Sequence, residues 1–207
     1  MSETDGVTVQ LEEAAGAAEL MAHWWSRPID EERASWAQLG GHAAEIVAGI
    51  GLDADAAEWA AGIATTREEG MLEEYERLFV GPGRTPCAPY ESLWRADAPR
   101  RERGLLMGPA TIEVQALCRE MGLTMRAEVH ELPDHVVVEW EALAFALAEG
   151  RLEPGRRLLV EHLAIWLPEL CDAIVRETSS PFYSELAART PSWVRALGSS
   201  LELAVAG

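Results

Sequence analysis

Apolar side chains recur every three or four positions along most of this chain, and the rhythm breaks where Pro or Gly stands. Leu11, Ala14, Ala18, Met21 and Trp25 share one helical face, and Pro28 predicts that this helix ends before it. A second stripe, Trp36, Leu39, Ala43, Ile46, Val47 and Ile50, begins after Asp30 and is closed by Gly49 and Gly51. Asp53 or Asp55 caps a short third helix that carries Trp59 and Ile63. Thr65-x-x-Glu68 or Thr66-x-x-Glu69 reads as a capping box for a fourth, whose face of Met71, Tyr75, Leu78 and Phe79 runs into Gly81-Pro82-Gly83.

From 81 to 108 the period is lost in a Pro- and Gly-rich stretch, the one long irregular segment expected in the chain. Helical spacing resumes after Pro109 with Val114, Leu117, Cys118 and Met121 and stops at Gly122. A further stripe of Trp140, Leu143, Ala144 and Leu147 follows Pro133 and ends at Gly150. Leu159, Leu163, Trp166, Leu170 and Ile174 form the next, with a kink predicted at Pro168. Ser180-Pro181 starts a short helix that restarts at Pro191 toward Val194, Leu197 and Leu201. Nothing alternates with period two over a convincing length, so the fold class is all-α. The expectation is one domain over 1–207, a helical bundle whose two halves flank the 81–108 loop, with residues 1–8 flexible.

Composition narrows the function. Thirty-five acidic against seventeen basic residues give a net charge of −18, and every one of those bases is Arg. That field repels phosphate backbones and anionic lipid headgroups, so nucleic acid and stable membrane insertion are not expected. The start of the chain lacks a basic region followed by an apolar run, and no apolar stretch approaches the ~20 residues of a membrane-spanning helix, so a cytoplasmic protein is expected. Cys87, Cys118 and Cys171 are odd in number and far apart, which predicts reduced, buried thiols.

Enzyme chemistry finds no template. There is no P-loop and no Gly-x-Ser-x-Gly elbow. His130-Glu131-x-x-Asp134 imitates a zinc-protease motif, but Pro133 interrupts the helix such a motif needs. None of the five histidines has a Glu three residues before it, which disfavours a helical di-iron site. Asp134 reads as an acid at a helix start, and His162 as a satisfied histidine at the edge of an apolar stripe.

Three motifs remain: Tyr75-x-x-Leu78-Phe79-x-Gly81-Pro82 continuing to Pro89-Tyr90-Glu91-Ser92, then Pro133-Asp134-His135-x-x-x-Glu139, then His162-Leu163-x-x-Trp166-x-Pro168. In kind, order and separation they resemble the TorD/DmsD/NarJ family of redox-enzyme maturation chaperones, over roughly residues 10 to 200. Ala88 stands where the family commonly has a first proline, and Trp140 where an aliphatic residue is usual. The resemblance implies an all-helical, cofactor-free, non-enzymatic cytoplasmic chaperone, a monomer or homodimer. Its partner would be a molybdopterin oxidoreductase subunit, bound through its twin-arginine leader or as the apo form and held until cofactor insertion. A NarJ-like role on a non-exported subunit and a nucleotide-binding role are the alternatives it leaves.

An Arg pair followed by an apolar run calls for carboxylates beside an exposed aromatic groove. Glu91 and Asp134 supply the first, with His135 alongside; Tyr75, Phe79, Tyr90 and Trp94 supply the second, and Pro89 and Ser92 complete the loop. Leu78 and Phe79 also continue a core stripe, Gly81 and Pro82 set the turn, and His162, Trp166 and Pro168 serve the frame. Glu91 has a second reading, as a helix cap or the internal partner of an Arg.

Overall fold

A computed structural model describes residues 3–28, 42–63, 70–82, 85–99, 104–124 and 131–206, with side chains from 10 to 202. The described residues are helical, without strands, and their buried apolar side chains form one continuous core. In chain order the helices are α1 (Glu3–Trp25), α2 (42–49), α3 (Ala54–Ile63), α4 (Met71–Tyr75), α5 (Glu91–Trp94), α6 (Pro109–Glu120), α7 (Val136–Ala148), α8 (Leu152–Arg157), α9 (Ala164–Glu177) and α10 (Pro181–Ala206).

Helix α1 packs along α7 and α10, and α10 along α9. Small side chains permit the close approach: Ala14, Ala15, Ala17 and Ala18 of α1 and Ala142, Ala144 and Ala146 of α7 are all buried. At Gly155 a Cβ would stand 3.0 Å from that of Ala146, so glycine is what lets α8 begin against α7. Aromatic rings fill the wider gaps. Trp24 meets Trp59 and Trp193 edge to face at 5.1 and 5.3 Å between centroids.

Most boundaries fall where Pro and Gly place them. Helix α1 stops before Pro28, α6 has Pro109 in its first turn, and Gly51, Gly122 and Gly150 end their helices with positive φ. Asp53 caps α3, its Oδ1 accepting the N–H of Ala56 at 2.9 Å. Trp36, Leu39 and both candidate capping boxes at 65–69 lie outside the described residues.

Four features differ from the pattern. Helix α1 already runs from Glu3, ahead of Leu11, the first residue of its apolar stripe, because extending a formed helix fixes one residue per hydrogen bond gained. The 81–108 segment contains α5, a single turn too short to show a period. Pro191 does not restart a helix but lies inside α10, where the Thr190 hydroxyl donates to the Leu186 carbonyl at 2.7 Å. Pro168 lies within α9, and the departure from α geometry comes just before that helix. Leu158–Leu163 form a π-helical turn joining α8 to α9, and Glu76–Val80 form another at the end of α4. Gly81 closes the latter, its N–H reaching the Glu76 carbonyl at 2.7 Å, with φ 100° and ψ −178°, a conformation essentially reserved to glycine.

Candidate functional site

The second half of the first motif and the start of the second zip together. The Val136 N–H donates to the Pro89 carbonyl and the Glu91 N–H to the Asp134 carbonyl, both at 2.9 Å, making an antiparallel bridge between Tyr90 and His135. Asp134 then caps α5 from outside the helix: its Oδ2 accepts the Ser92 N–H at 3.0 Å, where an acid meets the positive end of the amide dipoles. His135 caps α7, its Nδ1 accepting the Val137 N–H at 3.2 Å. Burial pushes the imidazole below its ordinary range, and acceptance at Nδ1 leaves the proton of the neutral ring on Nε2. The Tyr90 ring stands edge-on to His135 at 5.1 Å, and its hydroxyl donates to Glu131 at 2.7 Å. Trp94 folds back, its Nε1–H donating to the Ala88 carbonyl at 2.7 Å.

Beneath this clasp sits a cluster of ionisable groups. Glu91 has no exposed surface. Its carboxylate accepts from Arg95 Nη1 at 2.6 Å and from His162 Nδ1 at 2.9 Å. A carboxylate can only accept, so that contact requires the proton on Nδ1. Glu139, one helical turn after His135 and also without exposure, takes the Trp166 Nε1–H at 3.1 Å. Burial, then the neighbouring charge of Glu91, raises the Glu139 carboxyl well above the usual carboxylate range. A carboxyl displaced upward thus stands beside one that accepts hydrogen bonds from Arg95 and His162. The cluster ties α5 to the π-helical turn before α9, while Glu139 and Trp166 tie α7 to α9.

The structure brings the three motifs together but turns most of their side chains inward. Pro89, Glu91, Ser92, Asp134 and His135 are buried. Tyr75 and Phe79 are buried in an aromatic cluster with Tyr183, whose ring lies 5.6 Å from that of Phe79. Leu78, His162 and Trp166 are core, whereas Pro82 and Pro168 are exposed and Gly81 is half-buried. Of the expected contact residues only Tyr90 and Trp94 are half open to solvent. No oxygen of Glu91 is free to face a bound arginine. Asp134, equally unexposed, spends Oδ2 on the helix cap.

Two participants escaped the sequence reading. Arg95 pairs with Glu91 at i, i+4, a spacing that signals only once 91–94 is known to be a helix. Glu131, exposed beside Tyr90, falls in sequence within the protease-like motif, whose His130 lies outside the described residues. The three cysteines are free and buried.

The family described as nitrate reductase delta subunit matches residues 49–172, a span that contains all three motifs. A protein named Tat proofreading chaperone DmsD, from Salmonella typhi, is 31% identical over 136 residues, 65% of this chain and 64% of that protein. The chain thus matches a little under two thirds of that relative's length. A protein named chaperone protein TorD, from Shewanella loihica, is 26% identical over 60% of this chain and 59% of its own. A crystal structure described as a redox enzyme maturation protein of Archaeoglobus fulgidus covers 87% of this chain and 93% of its own at a TM-score of 0.56 and 23% identity, a likeness of fold. With the matched residues spanning more than half its length and all three motifs, the chain belongs to the nitrate reductase delta subunit family, the family of NarJ and TorD.

Proposed function

We propose that this protein is a non-enzymatic, system-specific chaperone. It binds the twin-arginine leader, or the apo form, of a molybdopterin oxidoreductase and holds it until the cofactor is inserted. The carrying observation is the convergence of three separate motifs on one clasp, Pro89–Trp94 against Asp134–His135, braced from below by His162 and Glu139. Relatives named Tat proofreading chaperone and chaperone protein support the same reading. Tyr90, Trp94 and Glu131 form the accessible part of the clasp; Tyr75, Phe79, Pro89, Glu91, Ser92, Asp134 and His135 act as the frame that sets its shape. The protein works in the cytoplasm as a single domain over 1–207, monomeric or homodimeric, without a cofactor of its own. Among the described residues no helix is long and apolar enough to cross a membrane.

Calorimetry with a synthetic leader peptide tests the reading. Ordering a flexible leader costs about 2–5 kcal/mol, so a Kd nearer micromolar than nanomolar is expected. Binding should weaken when both arginines become Gln and when salt rises. A titration with no saturable, arginine-dependent heat would remove leader recognition.

A further inference from the structure

Beside the clasp, between α5 and the start of α6, lies a cavity of about 220 Å³ lined by Ser92, Arg95, Asp97, Pro99, Pro109 and Glu113. It is smaller than the roughly 300–1,000 Å³ of a small-molecule site and has room for a single side chain. Ser92 is only 4% exposed, and its Oγ finds no hydrogen-bond partner among the described residues. A buried hydroxyl left unmet is costly, and a group entering the cavity with a donor removes that cost. The charge here is also unbalanced. Arg95 already faces Glu91 and Asp97, and Glu113 adds a further carboxylate without an ion pair among the described residues. The cavity therefore favours a cation with several N–H donors.

The chain on either side of Pro109 and Ala110, which line the cavity, exposes apolar side chains. Leu105 and Leu106 are each 51% exposed and Met107 and Ile112 each 67%, so four large apolar side chains face solvent within eight residues. Met107 stands there with φ 62°, a left-handed conformation that a non-glycine residue adopts at a cost. Gly108 follows, where a Cβ would lie 3.2 Å from the Leu105 carbonyl oxygen, so the turn that presents these side chains is tight. Apolar groups displayed in this way mark a contact surface.

We infer that this cavity and ridge are a footprint for a leader peptide: one arginine of its pair enters beside Ser92 and Glu113, and the following apolar run lies across Leu105, Leu106, Met107 and Ile112. The juxtaposition matches the order of a leader, cation first and apolar run next. The inference rests on the leader-binding reading above and adds where the two halves of the peptide sit.

The test uses fluorescence anisotropy of the full chain with a labelled peptide carrying an Arg-Arg pair and about a dozen apolar residues. Two further peptides have both arginines replaced by Gln, or the apolar run replaced by Gly and Ser. A Leu105→Ser/Met107→Ser/Ile112→Ser variant changes only exposed side chains; unchanged circular dichroism and sedimentation establish that it is folded and in the parent's oligomeric state. It should bind the full peptide about tenfold more weakly than the parent does, yet the peptide without an apolar run no more weakly. Glu113→Gln should weaken the full peptide and leave the Arg-less peptide unaffected. If the parent binds with arginine dependence and both variants bind equally well, the footprint is elsewhere and the leader reading stands. If the parent does not bind, both fall. A ridge variant that alters the oligomeric state instead of peptide binding assigns the ridge to a second copy of the chain and overturns the inference.

Discussion

Nδ1 of His162 lies 2.9 and 3.1 Å from the two carboxylate oxygens of Glu91, at a point with no exposed surface on the glutamate. Removing one partner of a buried charged contact leaves the others uncompensated, which typically costs about 3–5 kcal/mol. Glu91→Ala should therefore lose about 3 kcal/mol of stability, at the low end because Arg95 keeps Asp97. In urea the midpoint should fall with an unchanged slope; a loss below about 0.5 kcal/mol, the size of an ordinary surface change, would contradict the buried pairing.

Glu139 sets a pH dependence whose sign can be worked out. Its carboxyl is raised in the folded protein, so the unfolded chain gives up this proton near 4.5 while the folded protein keeps it. The stability it contributes is present below 4.5 and is lost as pH rises from there through the folded value, at up to about 1.4 kcal/mol per pH unit. Glu139→Gln should remove that slope, so urea titrations at successive pH values should show the variant gaining on the parent as pH climbs. Parallel curves would mean that Glu139 ionises normally.

Glu74 has the opposite sense. A hydrogen bond from Arg77, then those from Thr178 and the Ser179 N–H, hold its carboxyl at about 2, outweighing the opposing effect of burial. Its contribution is present above 4.5 and is lost as pH falls toward 2. Glu74→Gln should flatten this part of the acid limb, as read by circular dichroism against pH. A parent and variant that unfold along one acid curve would exclude it.

Burial pushes the thiols of Cys87 and Cys118 up to about 11 and that of Cys171 to about 12. The reactive species is the thiolate, so the native protein should consume almost no disulfide reagent at pH 8, and all three thiols should react once it is denatured. One fast equivalent in the native state would locate a thiol that is accessible.

Gly81→Ala should cost about 1–3 kcal/mol in thermal or urea denaturation, because φ 100° with ψ −178° is closed to a side chain. A stability equal to the parent's would mean that the turn refolds around alanine.

The helices were largely legible because Pro28, Pro109, Gly122 and Gly150 act locally, through a missing N–H or a positive φ that needs no tertiary partner. Helix α5 was not, since Glu91–Trp94 owe their turn to an N-terminal cap supplied by Asp134, forty-two residues away. Nor was Pro191, where packing of a long helix outweighs one lost hydrogen bond. At the candidate site the motifs were legible and their direction was not. A glutamate on a loop is read as facing water by default, and only the positions of His162 and Arg95 turn Glu91 inward. An internal Arg is one of the two partners the sequence offers Glu91, but 91–95 shows its i, i+4 geometry only once it is helical.

The two π-helical turns bear on how such a chain tolerates change in length. A π turn closes on the fifth residue back instead of the fourth, so it holds one residue more than the helix around it needs. Deleting exposed Val160 would let Leu158–Leu163 relax into ordinary helix without opening a gap in the backbone. Because the residue removed is the surplus one, the side chains beyond it would keep their faces, with Trp166 still toward Glu139 and Leu167 and Leu170 still in the core. Deleting a residue from the ordinary helix of α9 has no such reserve and would turn everything after it by one helical position. The two π turns are therefore the places where this chain can shed a residue with least disturbance to the packing on either side.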